Sequence, residues 1–444
     1  MNKMSKMSNL YKLNKTDKTD NTYNMCNMTT FVNNISKQFK FTTEQYMHLE
    51  IEYTRYVIYT ELIKQIECIL QITEEYDMRK KYESKNIIER FVLECINNGI
   101  INYDNLSHYL FFNPVLDNIN LLCETPYYIK MISEYNEKKI RLTPIKILNI
   151  DKAFIDANKR FKLYIIQQEK QTETIKNDNK LFHSTNIYKN IHCSILLNNN
   201  DCFVIRYRDY TKILCVNRYY KLIKNYDKPY PYDIIRMLLR YSIFDMSSQQ
   251  WSIGDLLYED ISDIFDISFE MFASPLNFNM NMFCSIFLDT DRIFGSIGSF
   301  YGLEVEKLLL QNIKGVFFNP PYLPLLMNTS IIHCLNILNE MNSLTIDFTI
   351  VSFLPNWSDA EYIKTFVNSK YVVSSKIVNK GNYVLHEKDK GKLISGSFDL
   401  VVIVLNSMKS SWNNDKKSII LSGIDKIVEI MKTESRTLWL SVKK

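Results

Sequence analysis

Glycine is almost absent from the first 250 residues of this 444-residue chain. Gly99 is the only glycine before residue 250, and the other nine lie from Gly254 onward. Because glycine marks tight turns and close backbone approaches, its scarcity together with helical periodicity indicates a mainly helical first part. The later part carries glycines and short apolar runs typical of strands. This change predicts two structural units.

The sequence also lacks the patterns of metal binding, secretion and membrane insertion. Its nine cysteines include no C-x-x-C pair and its six histidines are dispersed, so we expect no metal site. An odd cysteine count in a long chain predicts reduced thiols inside the cell. No apolar run approaches the ~20 residues of a membrane helix, and the polar N-terminus lacks the apolar segment of a secretion signal. We therefore expect no membrane contact and a cytoplasmic (possible viral factory) or nuclear location.

The composition is that of a globular protein, with 46% hydrophobic and 23% charged residues. The net charge of +5 is compatible with a nucleic-acid partner without requiring one.

Residues 1–40 have little hydrophobic pattern and are predicted to be a disordered lead-in. Thr42 to Gln45 resembles a helix-capping signal, and helical periodicity follows. We predict a helical domain over residues 41–200 and an α/β domain over residues 201–444.

Two runs of alternating residues, Cys202–Arg208 and Lys212–Arg218, predict a β-hairpin. Arginines within these runs, namely Arg206, Arg208 and Arg218, are interleaved with tyrosines. Cations for phosphates and rings for bases are typical of RNA binding. A solvated hairpin face with packing tyrosines explains the same pattern.

Five later segments predict strands: Ser268–Ala273, Gly315–Phe318, Phe348–Leu354, Tyr371–Val378 and Leu400–Leu405. The last two have a long connection, which favours an antiparallel terminal pair. The interval from Ala273 to Asn319 is short for three complete strand–helix units. Either the sheet is abridged, or strands near residues 200–218 complete it.

The tetrad from Asn319 to Tyr322 follows the strand Gly315–Phe318, where ligands bind in open α/β sheets. The side-chain oxygen of Asn319 and the carbonyl of Pro320 can each accept one hydrogen of a planar exocyclic amine such as adenine N6. Pro320 and Pro321 fix the backbone and remove competing N–H donors. Tyr322 offers a ring on which a base can stack. An ordinary turn is the alternative interpretation.

Four ordered segments carry a resemblance to a known family. They are F-E-M-F-A-S-P-L-N at Phe269–Asn277, D-T-D-R-I-F-G-S at Asp289–Ser296, N-P-P-Y at Asn319–Tyr322 and F-L-P-N-W at Phe353–Trp357. Together they resemble the phosphorylated-CTD-interacting-factor family of cap-specific adenosine N6-methyltransferases. That family reads F-A-S-P-L-N, D-T-D…F-G-S, N-P-P-F and I-P-x-W, and Arg240-Tyr241 resembles its R-Y pair.

The resemblance implies an α/β fold in which a Rossmann-like class I methyltransferase domain follows a mainly helical domain. It implies S-adenosyl-L-methionine as cofactor and the cap-adjacent 2′-O-methyladenosine of m7G-capped mRNA as substrate. At matching positions, the residues that orient the adenine are Asn319, Pro320, Pro321 and Tyr322. The implied cofactor residues are Ser274, Pro275, Asn277, Asp291, Gly295, Ser296 and Gly298. Arg240 and Trp357 join the three hairpin arginines as expected RNA contacts.

The sequence departs from the family pattern at three points. Tyr322 replaces phenylalanine, and Arg292 replaces glycine beside the expected cofactor pocket. The four tryptophans lie far apart, so we expect no WW module and no contact with the polymerase tail through one.

Two alternative functions stay open. One is methylation of another amine, such as adenine in internal RNA or DNA or a protein glutamine. The other is an inactive cap- or RNA-binding scaffold in which Arg292 obstructs the cofactor.

Overall fold

The structure is a computed structural model, and it describes most of the chain. The described residues are 41–72, 78–97, 126–138, 140–177, 193–198, 202–224, 231–244, 250–357, 359–412 and 414–442. The predicted disordered lead-in, residues 1–40, lies outside them. No helix in the described ranges is both long enough and apolar enough to span a bilayer.

Helices and strands of the described residues are numbered here in chain order. The helices are α1 (Thr43–Leu70), α2 (Met78–Asn97), α3 (Pro126–Glu137), α4 (Pro144–Asn177), α5 (Val216–Ile223), α6 (Pro231–Tyr241), α7 (Asp255–Phe265), α8 (Leu288–Asp291), α9 (Val305–Leu310), α10 (Pro324–Ser343), α11 (Glu361–Val367) and α12 (Asn414–Val442). The strands are β1 (Cys193–Asn198), β2 (Cys202–Tyr207), β3 (Tyr210–Cys215), β4 (Trp251–Ser252), β5 (Phe269–Glu270), β6 (Met282–Phe283), β7 (Gly315–Phe318), β8 (Thr349–Pro355), β9 (Val372–Val378), β10 (Val384–Glu387), β11 (Lys392–Ser395) and β12 (Leu400–Asn406).

Helix α1 begins at the capping signal seen in the sequence. Gln45 N donates to Thr42 Oγ1 at 3.2 Å, and Thr42 N donates to Gln45 Oε1 at 3.0 Å. These reciprocal bonds satisfy backbone donors that the first helical turn leaves unpaired, so the predicted capping box is confirmed.

The three-stranded antiparallel sheet β1-β2-β3 is separate from the main sheet and shares a hydrophobic core with the N-terminal helices. Strand β1 pairs with β2 along its whole length, from Cys193–Tyr207 to Asn198–Cys202. The domain boundary predicted at residue 200 falls between these two paired strands. The hairpin β2–β3 is present, but the chain turns into α5 at Val216, so its second strand ends earlier than predicted.

The main sheet has six strands in the order β6-β5-β7-β8-β12-β9. The first four are mutually parallel, whereas β12 runs antiparallel to both of its neighbours, β8 and β9. The predicted antiparallel terminal pair is therefore confirmed. Strands β5 and β6 have only two residues each, and β1–β3 form a separate sheet. The main sheet is therefore abridged, and the strands near residues 200–218 do not complete it.

Helices cover both faces of the main sheet, which makes the protein a mixed α/β structure. Alternate residues of β7 pack on opposite faces of the sheet. Val316 and Phe318 pack with helix α10, while Phe317 packs with helices α7 and α12. Since parallel strands end at the same edge, this layering brings the residues after β5, β7 and β8 together at one edge of the sheet.

Candidate active site

A cavity of about 620 Å³ lies where the carboxyl edge of the main sheet meets helices α2 and α3. Its volume is within the range of small-molecule sites. The lining from the sheet side includes Glu270, Met271, Phe272, Ala273, Ser274, Asn277, Cys284, Ser285, Ser299, Phe300, Asn319, Pro320, Pro321, Tyr322 and Trp357. The lining from α2, α3 and the segment just after α3 includes Arg90, Leu93, Lys130, Ser133, Glu134, Glu137 and Lys138. The site therefore combines both parts of the chain.

The structure brings all four residues of the Asn319–Tyr322 tetrad into the cavity wall. Strand β7 delivers them, because its four residues are buried and the prolines then prevent the strand from continuing. The Tyr322 hydroxyl oxygen lies 2.8 Å from Asn319 Oδ1 and 3.1 Å from the backbone oxygen of Phe353. Burial raises the pKa of the Tyr322 phenol well above its usual value. The hydroxyl is therefore neutral at physiological pH.

Aromatic side chains surround the tetrad. The Tyr322 ring meets the ring of Phe398 edge to face, with 5.6 Å between centroids and 85° between planes. Trp357, which follows β8, also lines the cavity and is partly buried. These rings give this end of the cavity an apolar, π-rich surface that suits a planar base.

Ser274 and Asn277 form a polar part of the wall. Ser274 N donates to Asn277 Oδ1 at 2.7 Å, and the Ser274 hydroxyl donates to Gln250 Oε1 at 2.6 Å. These bonds hold a tight loop immediately after β5 with its polar groups at the cavity. Pro275 lies inside this loop but outside the lining.

Asp291 lies behind the cavity wall and not in it. The carboxylate is fully buried, and it accepts the hydroxyl of Tyr241 at 2.6 Å and that of Thr290 at 2.9 Å. Burial raises its pKa to about 7 even though these hydroxyl donors oppose the increase. Asp291 is thus placed to support the cavity wall and not to touch a ligand in the cavity.

Gly295, Ser296 and Gly298 also shape the wall from behind. Gly295 and Gly298 have φ values of +104° and +123°, which favour glycine. Ser285 donates its hydroxyl to Ser296 Oγ at 2.7 Å, and Ser285 lines the cavity. This loop therefore fixes the position of Ser285.

The expected RNA-binding arginines occupy different environments. Arg206 is exposed on β2. Arg208 is exposed, but its guanidinium donates to both carboxylate oxygens of Glu50, at 2.8 and 2.6 Å. Neither residue lines the cavity.

Arg218 and Arg240 do not present their guanidinium groups to a nucleic acid, which corrects the expectation for both. Arg218 is 3% exposed and donates to the Phe278 carbonyl at 3.0 Å. Arg240 is completely buried and donates to both oxygens of Glu52, at 2.7 and 2.5 Å. Burial would raise the pKa of Glu52, but the guanidinium charge lowers it to about 2. Both arginines are bonded inside the core.

Arg292, the residue that departs from the family glycine, is exposed and lies outside the cavity lining. Its side chain therefore leaves the cavity open. The obstruction that motivated the scaffold alternative is not seen in this structure.

Sequence reasoning missed the cavity residues of α2 and α3 and the carboxylate of Glu270. Glu270 is 1% exposed and accepts from the backbone N–H groups of Asn279 and Met280 at 2.7 and 3.1 Å. It is the last residue of β5 and lies inside the first family-like segment, so its position at the carboxyl end of a strand was the available signal. The helical residues carry no local signal, because only the tertiary fold brings them to the sheet.

Comparison with known proteins agrees with this site. Residues 213–388 match the family model described as "Phosphorylated CTD interacting factor 1 WW domain". Two curated relatives, from Mus musculus and Homo sapiens, are named mRNA (2′-O-methyladenosine-N(6)-)-methyltransferase. Each is 31% identical over 125 residues, which is 28% of this chain. The match spans 16% of the length of each relative.

The expectation that the chain has no WW module is wrong, since the matching family model is described as a WW domain, and the expected lack of contact with the polymerase tail loses its basis. The expectation rested on tryptophan spacing. Trp251, in β4, and Trp357, after β8, both lie within the matched residues but 106 positions apart. Spacing along the chain was therefore a poor test of a region of this length.

The ordered motifs all lie within residues 213–388, and this region of the chain is similar to the phosphorylated-CTD-interacting-factor family.

Proposed function

We propose that this protein is an S-adenosyl-L-methionine-dependent RNA methyltransferase that acts on N6 of the cap-adjacent 2′-O-methyladenosine of m7G-capped mRNA. The observation that carries the proposal is the Asn319–Tyr322 tetrad in the wall of a 620 Å³ cavity at the carboxyl edge of the sheet. The names of the two relatives support the same reaction and substrate.

The sheet order supports a Rossmann-like class I methyltransferase domain. Four parallel strands are followed by an antiparallel pair at one side, β12 and β9. In such sheets the ligand site lies beyond the carboxyl ends of the strands, where the cavity is found.

The donor set of the cavity suits S-adenosyl-L-methionine. Near β5 and β6 the wall carries small hydroxyl and amide side chains, from Ser274, Asn277, Ser285 and Ser299. Such groups can bond ribose hydroxyls and the polar ends of the cofactor while leaving space for its bulk. When bound, the cofactor supplies an electrophilic methyl group.

The tetrad would hold the adenine by its exocyclic amine. Asn319 Oδ1 and the Pro320 carbonyl are acceptors on a rigid backbone, so they can turn the N6 nitrogen in a fixed direction. The rings of Tyr322 and Trp357 would contact the base. Catalysis would then come mainly from positioning and from polarising the amine, without a dedicated general base.

Helices α2 and α3 would face the rest of the RNA. Arg90, Lys130 and Glu134 lie on this wall, and Glu134 pairs with Arg90 at 3.4 Å and with Lys130 at 3.9 Å. Charged groups of both signs suit a polar substrate beyond the base. We therefore assign this wall of the cavity to the part of the RNA beyond the base.

The test is methyl transfer from labelled S-adenosyl-L-methionine to two short RNAs that both begin with 2′-O-methyladenosine, one m7G-capped and one uncapped. Label at N6 of the capped RNA alone supports the proposal. Equal labelling of both RNAs would show a general adenine methyltransferase. Cap and RNA binding without label would show an inactive scaffold, and either of the last two results overturns the cap-specific activity.

A further inference from the structure

The Tyr322 hydroxyl has two acceptors and one proton. Its oxygen lies 2.8 Å from Asn319 Oδ1 and 3.1 Å from the Phe353 backbone oxygen. A phenol can donate its proton to only one of them with good geometry. If Asn319 Oδ1 takes the proton, the Phe353 oxygen faces a hydroxyl lone pair.

Rotating the Asn319 amide by 180° resolves this conflict. The rotation exchanges Oδ1 and Nδ2 and leaves the shape of the side chain almost unchanged. Nδ2 then donates to the Tyr322 oxygen, and the Tyr322 hydroxyl donates to the Phe353 carbonyl. All three groups are satisfied in this arrangement.

The rotation also changes what Asn319 shows to the cavity. Within the described residues, the amide nitrogen in its present orientation makes no hydrogen bond, and the partly exposed side chain lines the cavity. After the rotation that open position carries Oδ1. The cavity then meets an acceptor, which an exocyclic amine can use and which repels a carbonyl.

We propose that the Tyr322 hydroxyl is a positioning group that holds the Asn319 amide with Oδ1 towards the cavity, and that it thereby selects a 6-amino purine over a 6-oxo purine. This inference rests on the proposed function, because it assigns the purine site to the same tetrad. It concerns a hydroxyl that the phenylalanine of the family pattern does not have.

The variant Tyr322→Phe removes the hydroxyl and retains the ring. Without the hydroxyl, the amide can turn Nδ2 towards the cavity and donate to a 6-oxo group. The matched control is Tyr383→Phe. The Tyr383 hydroxyl donates to the Phe398 carbonyl at 2.9 Å, and its ring also packs against Phe398, but the residue lies outside the cavity lining.

The experiment measures Kd by fluorescence anisotropy for two m7G-capped RNAs that differ only in the first nucleotide, adenosine or inosine. We expect wild type and Tyr383→Phe to prefer adenosine by the same ratio. In Tyr322→Phe we expect that ratio to shrink roughly three- to tenfold, the range set by one neutral hydrogen bond. The inosine RNA should bind more tightly to this variant than to wild type.

An unchanged ratio in Tyr322→Phe, or an equal loss for both RNAs, overturns the inference, since lost packing would weaken both. Methyl transfer to the adenosine RNA is measured alongside. If the ratio shifts in Tyr322→Phe but the wild type transfers no methyl group, the positioning role is supported and the proposed function is overturned. If wild type binds neither RNA, both proposals fail.

Discussion

Arg240 and Glu52 form a buried two-point ion pair that joins helices α6 and α1, with N–O distances of 2.7 and 2.5 Å. Arg240 also contacts Asp289, in helix α8, at 3.0 Å. The Arg240 guanidinium therefore links helix α1 to helix α8, whose last residue, Asp291, lies behind the cavity wall. A buried pair of this kind is costly to break, because the remaining buried carboxylate loses its two-point partner and retains only Arg55 among the described residues.

We expect Arg240→Gln to lower the free energy of unfolding by up to about 3–5 kcal/mol, because buried Glu52 loses its two-point partner and keeps Arg55, whose Nε lies 3.1 Å away. Urea denaturation measures the change. Arg208→Gln is the matched control, because Arg208 pairs with Glu50 but is 40% exposed. That exposed pair should contribute at most about 1 kcal/mol. Equal losses in the two variants would show that burial of the Arg240 pair has no special effect.

Asn319→Ala should remove nearly all methyl transfer, by roughly 100- to 1000-fold in kcat, because a preorganised polar group at the reacting centre is lost. The thermal midpoint should stay close to that of wild type, since Asn319 is only partly buried. Asn336→Ala is the control, as Asn336 is exposed on helix α10. Full activity in Asn319→Ala would refute the assignment of the tetrad.

Much of the main sheet is predictable because local pattern and burial agree there. Strand β7 covers Gly315–Phe318 as predicted, since an apolar run bounded by prolines has few alternatives. Strand β5 is shorter than its predicted range of Ser268–Ala273. The chain bends after Glu270, although Met271 N still donates to the Phe317 oxygen at 2.9 Å.

The rest of the site depends on contacts between residues that are distant in the sequence. Arg240 looks like a surface cation until Glu52, 188 positions away, is placed beside it. Arg90 and Lys130 reach the cavity only because the tertiary fold places α2 and α3 across it from the edge of the sheet. Family motifs located the tetrad, but they did not separate residues that line the cavity from those, such as Asp291, that support its wall.

Asp291→Asn should change how stability depends on pH. Burial raises the pKa of Asp291 to about 7 in the folded protein, well above that of a carboxyl in an unfolded chain. The folded state therefore holds a proton that the unfolded state loses first. The resulting stabilisation is complete below about pH 4 and disappears as the pH rises to about 7.

Urea denaturation at pH 5 and pH 8 tests this. Between these values the wild type should lose roughly 2–3 kcal/mol that Asp291→Asn does not lose. Asp263→Asn, which alters an exposed carboxyl on α7, should follow the wild type. Parallel pH profiles for wild type and Asp291→Asn would mean that Asp291 does not titrate in this range.

Gly295→Ala should damage the loop behind the cavity. A Cβ at this position would lie 2.2 Å from the backbone oxygen of Asn281, and the φ of +104° is itself unfavourable for alanine. Backbone strain of this type costs on the order of 1–3 kcal/mol, and the clash adds to it. Because the loop positions Ser285, we expect S-adenosyl-L-methionine binding to weaken together with stability.

Gly302→Ala supplies the comparison, since a Cβ there meets no atom within 4 Å and the residue has no positive φ. We expect this variant to stay within about 0.5 kcal/mol of wild type. Calorimetric titration measures the affinity for S-adenosyl-L-methionine, and a thermal melt measures stability separately. If Gly295→Ala keeps both cofactor affinity and thermal midpoint, the backbone of this loop can shift freely. The loop would then not be what fixes the polar wall of the cavity.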